Sequence, residues 1–203
     1  SNAPYLRYLP GKSTVITCHD VIAIRAGLGY EDTHVFPSRM GRLLQKRILR
    51  SLSKAERIAV VSNLTLNQLQ EIAEDASADR KTWRVVHNSY NAPFFPLSEA
   101  ECEKALQDIG LAGAEPFILH VGHDHPRKNR KLLLEMAGIL GKEWKGKICF
   151  TGKPVSPAMR QLAEELGLQD RIVSVVKADH KTLQALYSRC YAFIFPSFSE
   201  GFG

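Results

Sequence analysis

Three short stretches place charged, imidazole and glycine residues directly after apolar, strand-like runs. The first is HVGHDHPRKN at 120–129. An apolar run ends at Gly122, a polar loop follows, and Arg127 and Lys128 stand beside a predicted helix start at Asn129. Two cations next to the unpaired N–H groups of a helix N-terminus suit a diphosphate. The plainer reading of the same residues is a solvated basic turn. The second stretch, FPSFSEGFG at 195–203, sets one carboxylate, Glu200, among small residues. Gly201 and Gly203 would let the backbone approach a ligand closely, and Glu200 would accept hydrogen bonds from sugar hydroxyls. A lone Glu-Gly turn is otherwise structural. The third stretch is TCHD at 17–20. His19 is suited to stabilise charge or to hydrogen-bond a substrate, with Asp20 orienting its imidazole. The alternative there is an aspartate that caps a helix beside a satisfied histidine.

The elements that must carry these loops follow from periodicity. Short β-branched runs at 14–18, 57–61, 84–87, 117–121, 147–151, 171–176 and 192–195 read as strands. Several are nearly all apolar, as parallel strands covered on both faces are. Amphipathic stretches at 38–53, 63–74, 99–109, 129–140, 156–166 and 181–189 alternate with them as helices. Ser62 or Asn63, Ser98 and Asn129 are the expected N-caps. This alternation predicts an α/β fold with parallel sheets. The turn-rich NSYNAPFFPLS at 88–98 reads as a connection. The expected domains are therefore 1–97 and 98–203. Neither looks complete: the first shows one obvious strand before its long helix, and the second stops within a strand-to-helix turn.

Composition narrows the functional classes. The chain has 203 residues, of which 44% are hydrophobic and 24% charged, an ordinary globular balance rather than a disordered one. No apolar run approaches the roughly 20 residues that span a bilayer, and the first residues lack a signal-peptide pattern. Cys18, Cys102, Cys149 and Cys190 are far apart and form no CxxC pair, so reduced thiols in a cytoplasmic protein are expected. The net charge of +6 favours an anionic partner without naming it. Arg39, Arg42, Lys46 and Arg50 share one face of the predicted helix within 38–57, while Met40, Leu44, Ile48 and Leu52 line another. Either this is a core-packed helix with a solvated basic face, or it meets anionic lipid or a phosphorylated acceptor, peripherally at the inner face of a membrane. A nucleic-acid-binding protein would interleave aromatics with the cations. The basic helix contains none, so no nucleic acid is expected. His120, His123, Asp124 and His125 offer metal-ligand chemistry, but His120 falls within a strand and no metal is expected.

The ordered elements TCHD, VVSNLT, VVHNSYN, LHVGHDHPRKN and FPSFSEGFG resemble the family-4 retaining glycosyltransferases over nearly the whole chain from Thr14 onward. The resemblance implies a GT-B architecture of two Rossmann-like domains facing across a cleft, both incomplete here. It implies transfer of a sugar from a nucleotide-diphosphate sugar to an acceptor hydroxyl, on a sugar or lipid-linked acceptor, with retention and without a metal cofactor. Carried over, Lys128 would contact the donor diphosphate with Arg127 beside it, after the strand end at Gly122. Glu200, followed by Gly201 and Gly203, would face the donor sugar, and His19 would help to hold it. Three positions depart from the family pattern. His123 stands where many members have arginine, Asn88-Ser89-Tyr90-Asn91 replaces an NGVD-like turn, and the second acid of the glutamate pair would fall beyond Gly203. On this resemblance the 203 residues alone are expected to be inactive. A nucleotide-sugar epimerase is the alternative reading, with a non-enzymatic anion-binding protein behind it.

Overall fold

The computed structural model describes Tyr8 and residues 14–73, 82–90, 92–113 and 115–202. It divides into two compact units, Ser1–Asn91 with Phe198–Gly203, and Ala92–Ser197.

In the first unit, β1 (Ile16–Cys18), β2 (Ile58–Val60) and β3 (Trp83–Val85) form a parallel sheet in that order. α1 (Ile22–Leu28) and α2 (Arg39–Ser53) lie between β1 and β2 in sequence, and α3 (Asn63–Ile72) follows β2. Ser38 starts α2 by accepting the Gly41 amide at 3.1 Å, and Ser62 starts α3 by accepting that of Thr65 at 3.1 Å. Ile16, Ile58 and Val60 are buried with Leu49, Leu52 and Leu69 of the helices. α1 is absent from the periodicity reading. Its IAIRAGL run is only two turns long and opens on β-branched residues, so it reads as a continuation of β1.

The second unit is a four-stranded parallel sheet in the order β6–β5–β4–β7: Ile172–Val176, Lys147–Gly152, Phe117–Gly122 and Ala192–Phe193. Strand parity decides which residues face which helices. Ile118, Ile148 and Phe150 pack on α5 (Lys131–Leu140) and α6 (Pro157–Glu165) through Leu133, Leu134, Ala137 and Met159. Phe117, Leu119 and Cys149 face the other way, toward Cys102 and Leu106 of α4 (Glu99–Leu106) and Ala185 and Leu186 of α7 (His180–Arg189). Both faces of β4 and β5 are thus covered, which is why these two strands read as nearly unbroken apolar runs. Ser98 and Glu101 form a capping box on α4, and Asp179 accepts the Thr182 amide at 2.7 Å to start α7. All four cysteines are free thiols, and burial pushes that of Cys149 up to about 12.

Among the described residues, no helix is long and apolar enough to cross a membrane. On α2 only Ile48, Leu49 and Leu52 are buried. The predicted apolar stripe therefore splits: its C-terminal half enters the core, whereas Met40 (73% exposed), Leu43 and Leu44 are exposed, as is Phe36 before the helix (85%).

His120, next in parity after Ile118, is fully buried on β4. Its Nδ1 lies 3.1 Å from the Ile194 carbonyl, which can only accept, so Nδ1 carries the proton. Burial chiefly holds the His120 pKa below its usual range; the Ile194 carbonyl opposes this, and the charges of Arg130 and Lys128 reinforce it. The unfolded chain takes up this proton near pH 6.5, the folded chain only at lower pH. His120 therefore contributes stability that is complete above about pH 6.5 and is lost as pH falls toward its folded value. The melting temperature should fall between about pH 7.5 and pH 5.5, and less steeply in His120→Asn, which keeps a donor toward Ile194 and does not titrate. Equal pH slopes for the two proteins would refute this assignment.

Candidate functional site

The strand order of the second unit contains one reversal. From β4 the chain winds outward through β5 to β6, then returns to place β7 on the other side of β4. The loops after β4 and β7 therefore leave neighbouring strand ends at the switch point of the winding, the place where open α/β sheets bind ligands. Two of the three stretches singled out in the sequence begin here.

The loop after β4 is built differently from its sequence reading. Pro126–Lys128 form one turn of 3₁₀ helix, entered through His125, whose Nδ1 accepts the Arg127 amide at 3.3 Å. Asn129 then takes a left-handed conformation (φ 49°), and α5 begins only at Lys131. Asn129 is therefore a joint and not the cap of α5. An asparagine tolerates this geometry, and the helix must restart beyond it. Arg127 and Lys128, both half-buried, stand on the 3₁₀ turn and not on the first turn of α5. The Lys128 ammonium lies 4.6 Å over the ring of Phe195, the second residue past β7, so its stem bridges the two loops. Phe195 in turn stacks with His120, at 6.2 Å and 24°.

Gly122 closes β4 beneath this pair. A Cβ there would stand 3.3 Å from His120 Nε2 and 3.9 Å from Lys128 Cδ. On the adjacent strand Gly152 has φ +126°, and a Cβ would come within 2.5 Å of the Gly122 carbonyl oxygen. A side chain at Gly152 would therefore strike the neighbouring strand end. Arg130 is a further cation that the sequence reading did not single out. It is 2% exposed, with its guanidinium 4.6 Å over the Phe150 ring and Nη1 donating to the Lys153 carbonyl at 3.4 Å. Among the described residues its Nε and Nη2 find no hydrogen-bond partner, and neither does His120 Nε2. Burial lowers the Arg130 pKa, with Asp124 opposing. The only sequence signal was its place beside Arg127 and Lys128; that it points inward depends on the 3₁₀ turn.

The remaining candidates belong to the first unit. His19 and Asp20 follow β1 and are exposed. Asp20 Oδ1 accepts the Ile22 amide at 3.1 Å and so fixes the start of α1, the capping role weighed for it. Both residues line a pocket of about 210 Å³ with Thr17, Ile24, Gln45 and Ile48. Phe198–Gly203 group with this unit and not with the strand that precedes them. Glu200 is half-buried. Gly201 lies so close to the backbone of residue 19 that a Cβ would overlap the His19 carbonyl oxygen. The Glu200–Gly201 turn is thereby seated at His19, while Gly203 lies outside the described residues. Among the described residues, no three His, Cys, Asp or Glu side chains gather as a metal centre would require.

A family model described as "Glycosyl transferases group 1" matches residues 102–203. The O-antigen chain mannosyltransferase B of Escherichia coli is 26% identical over 202 residues, covering 97% of this chain and 50% of that protein. The chain thus spans about half the length of this relative. Among solved structures, the sucrose-phosphate synthase of Thermosynechococcus elongatus superposes with a TM-score of 0.72 at 21% identity, covering 98% of this chain and 49% of that one. Anabaena Alr3699/HepE, solved in complex with UDP-glucose, superposes at 0.69 and 14% identity, covering 92% and 47%. These likenesses give the fold as the α/β GT-B type with parallel sheets. With half of its residues matched by the family model, the chain belongs to the glycosyl transferases group 1 family.

Proposed function

We propose that the protein is a family-4, retaining glycosyltransferase that moves a sugar from a nucleotide-diphosphate sugar to an acceptor hydroxyl. The observation that carries this reading is the switch point between β4 and β7, where the Lys128 ammonium lies over Phe195 beside Gly122. A ligand diphosphate there would meet the Lys128 ammonium, with Arg127 on the same turn and buried Arg130 adding positive potential behind them. The nucleotide sugar bound to Alr3699/HepE supports a donor of this class. Glu200 and His19 would take the sugar through hydrogen bonds to its hydroxyls.

The chemistry requires the bond between the anomeric carbon and the diphosphate oxygen to break and the acceptor oxygen to bond on the same face. The acceptor proton passes to the departing diphosphate. Cations at the diphosphate lower the barrier because negative charge grows there as the bond breaks. No step of this scheme calls for a metal.

The exposed, N-terminal half of α2 favours a peripheral membrane location at the cytoplasmic face. Phe36, Met40, Leu43 and Leu44 are exposed beside Arg39, Arg42 and Lys46, the composition of a helix that lies in an anionic interface. The acceptor would then be lipid-linked.

Product analysis with the intact protein tests the central reading. A glycoside with the donor's anomeric configuration supports it, whereas an isomerised donor supports an epimerase. Lys128→Ala should weaken binding of a nucleoside diphosphate by roughly 10–100-fold in calorimetry, the loss of one hydrogen bond to a charged group. Unchanged affinity would remove Lys128 from the site. Co-sedimentation with phosphatidylserine vesicles should fall on adding salt and in the double variant Arg42→Glu/Lys46→Glu, each basic residue near the surface contributing about 1 kcal/mol. Binding that ignores lipid charge would rule out this role for α2.

A further inference from the structure

The first turn of α3 makes a contact that capping does not require. Ser62 Oγ already accepts the Thr65 amide, which satisfies the start of the helix. Thr65 Oγ1 donates to the Gly201 carbonyl at 2.8 Å, and Ser62 Oγ lies 2.5 Å from the same oxygen and 3.1 Å from Thr65 Oγ1, its single proton serving one of the two. One carbonyl is therefore enclosed by two hydroxyls from one helix turn, linked to each other as well as to it. Thr65 is fully buried, so its hydroxyl has been taken out of water to make this bond.

The rest of the segment is held on either side. His34 stacks on Phe198 with ring centroids 3.9 Å apart, and His87 meets Phe202 at 5.9 Å. Between them Gly201 sits directly on the His19 carbonyl, where no other residue would fit. Two rings bracket the segment while two hydroxyls fix its centre. Of these contacts, only the hydroxyl pair sets the rotation of the peptide that follows Glu200–Gly201.

We infer that Ser62 and Thr65 are positioning residues: they clamp the Gly201 carbonyl and so hold Glu200 in register with His19 for the reaction. The inference rests on the proposed roles of Glu200 and His19, since neither clamp residue is assigned contact with substrate. It explains why a helix with a sufficient serine cap carries a second buried hydroxyl one turn away. Losing the clamp would leave the donor diphosphate site intact and loosen the sugar's carboxylate partner.

Thr65→Val tests this, because valine keeps the shape and the backbone amide but cannot donate. In the intact protein, amide exchange across 198–202, read by mass spectrometry, should quicken about fivefold or more, the worth of one net hydrogen bond. The transfer kcat should fall by at least about fivefold, with the donor KM within about twofold, as expected for an interaction that matters after donor binding. Thr65→Ser should restore both. Unchanged exchange in Thr65→Val would overturn the clamp. Quickened exchange with native kcat would overturn its role in positioning, as would equal losses in Thr65→Val and Thr65→Ser. If the native protein transfers no sugar, the functional reading fails separately. In that case, native-like exchange in Thr65→Val still refutes the clamp, and quickened exchange upholds it as a contact.

Discussion

β4 pairs with β5 on one side and with β7 on the other, and most of the candidate donor site depends on that double pairing. Because every ladder is parallel, all the strand ends that matter emerge at one edge of the sheet. Because the winding reverses at β4, the loops after β4 and β7 fall at the switch point of the sheet. The His120–Ile194 hydrogen bond ties the same two strands one step beyond the last ladder partner of β7, Phe193. Phe195 and Lys128 then meet above that bond. Covering helices on both faces keep water from the strands, so the polar chemistry is confined to the edge.

The electrostatics of this edge run against ordinary economy. A guanidinium with two buried nitrogens and an imidazole with one, none of them partnered among the described residues, lie in one neighbourhood. Unsatisfied buried polar atoms cost stability and are uncommon in native proteins. Native proteins tolerate such features mainly at functional sites. The neutral state of His120 fits the same picture, since a second buried positive charge beside Arg130 would cost still more.

Much of this was legible in the sequence, and the losses have identifiable causes. The seven strands among the described residues all overlap the runs read from the sequence, most clearly β4 and β5, where burial on both faces leaves a signal that needs no partner to be recognised. α1 was hidden by its shortness and β-branched start. The beginning of α5 was misread because Asn129 is a common N-cap type, whereas here it takes a left-handed joint after a 3₁₀ turn. Periodicity on α2 identified a stripe but could not say which half would meet the core. Lys128 and Gly122 were visible as types in order, yet the Phe195 ring that aims Lys128 lies 67 residues away (195 − 128) and is found only by folding. Arg130 was passed over for a related reason: sequence gives charge readily and depth poorly.

Glycine in a loop is commonly taken as a sign of suppleness. At Gly201 the surroundings reverse that reading. The side chain is missing because backbone presses on backbone, and the carbonyl that a glycine would leave most free to swing is enclosed by two hydroxyls. Ordering such a residue forfeits more conformational entropy than any other would, and the paired hydroxyls offset that loss locally. The residue with the widest choice of conformations thus becomes one of the most restricted points in its unit, a pivot by composition and a rivet by environment.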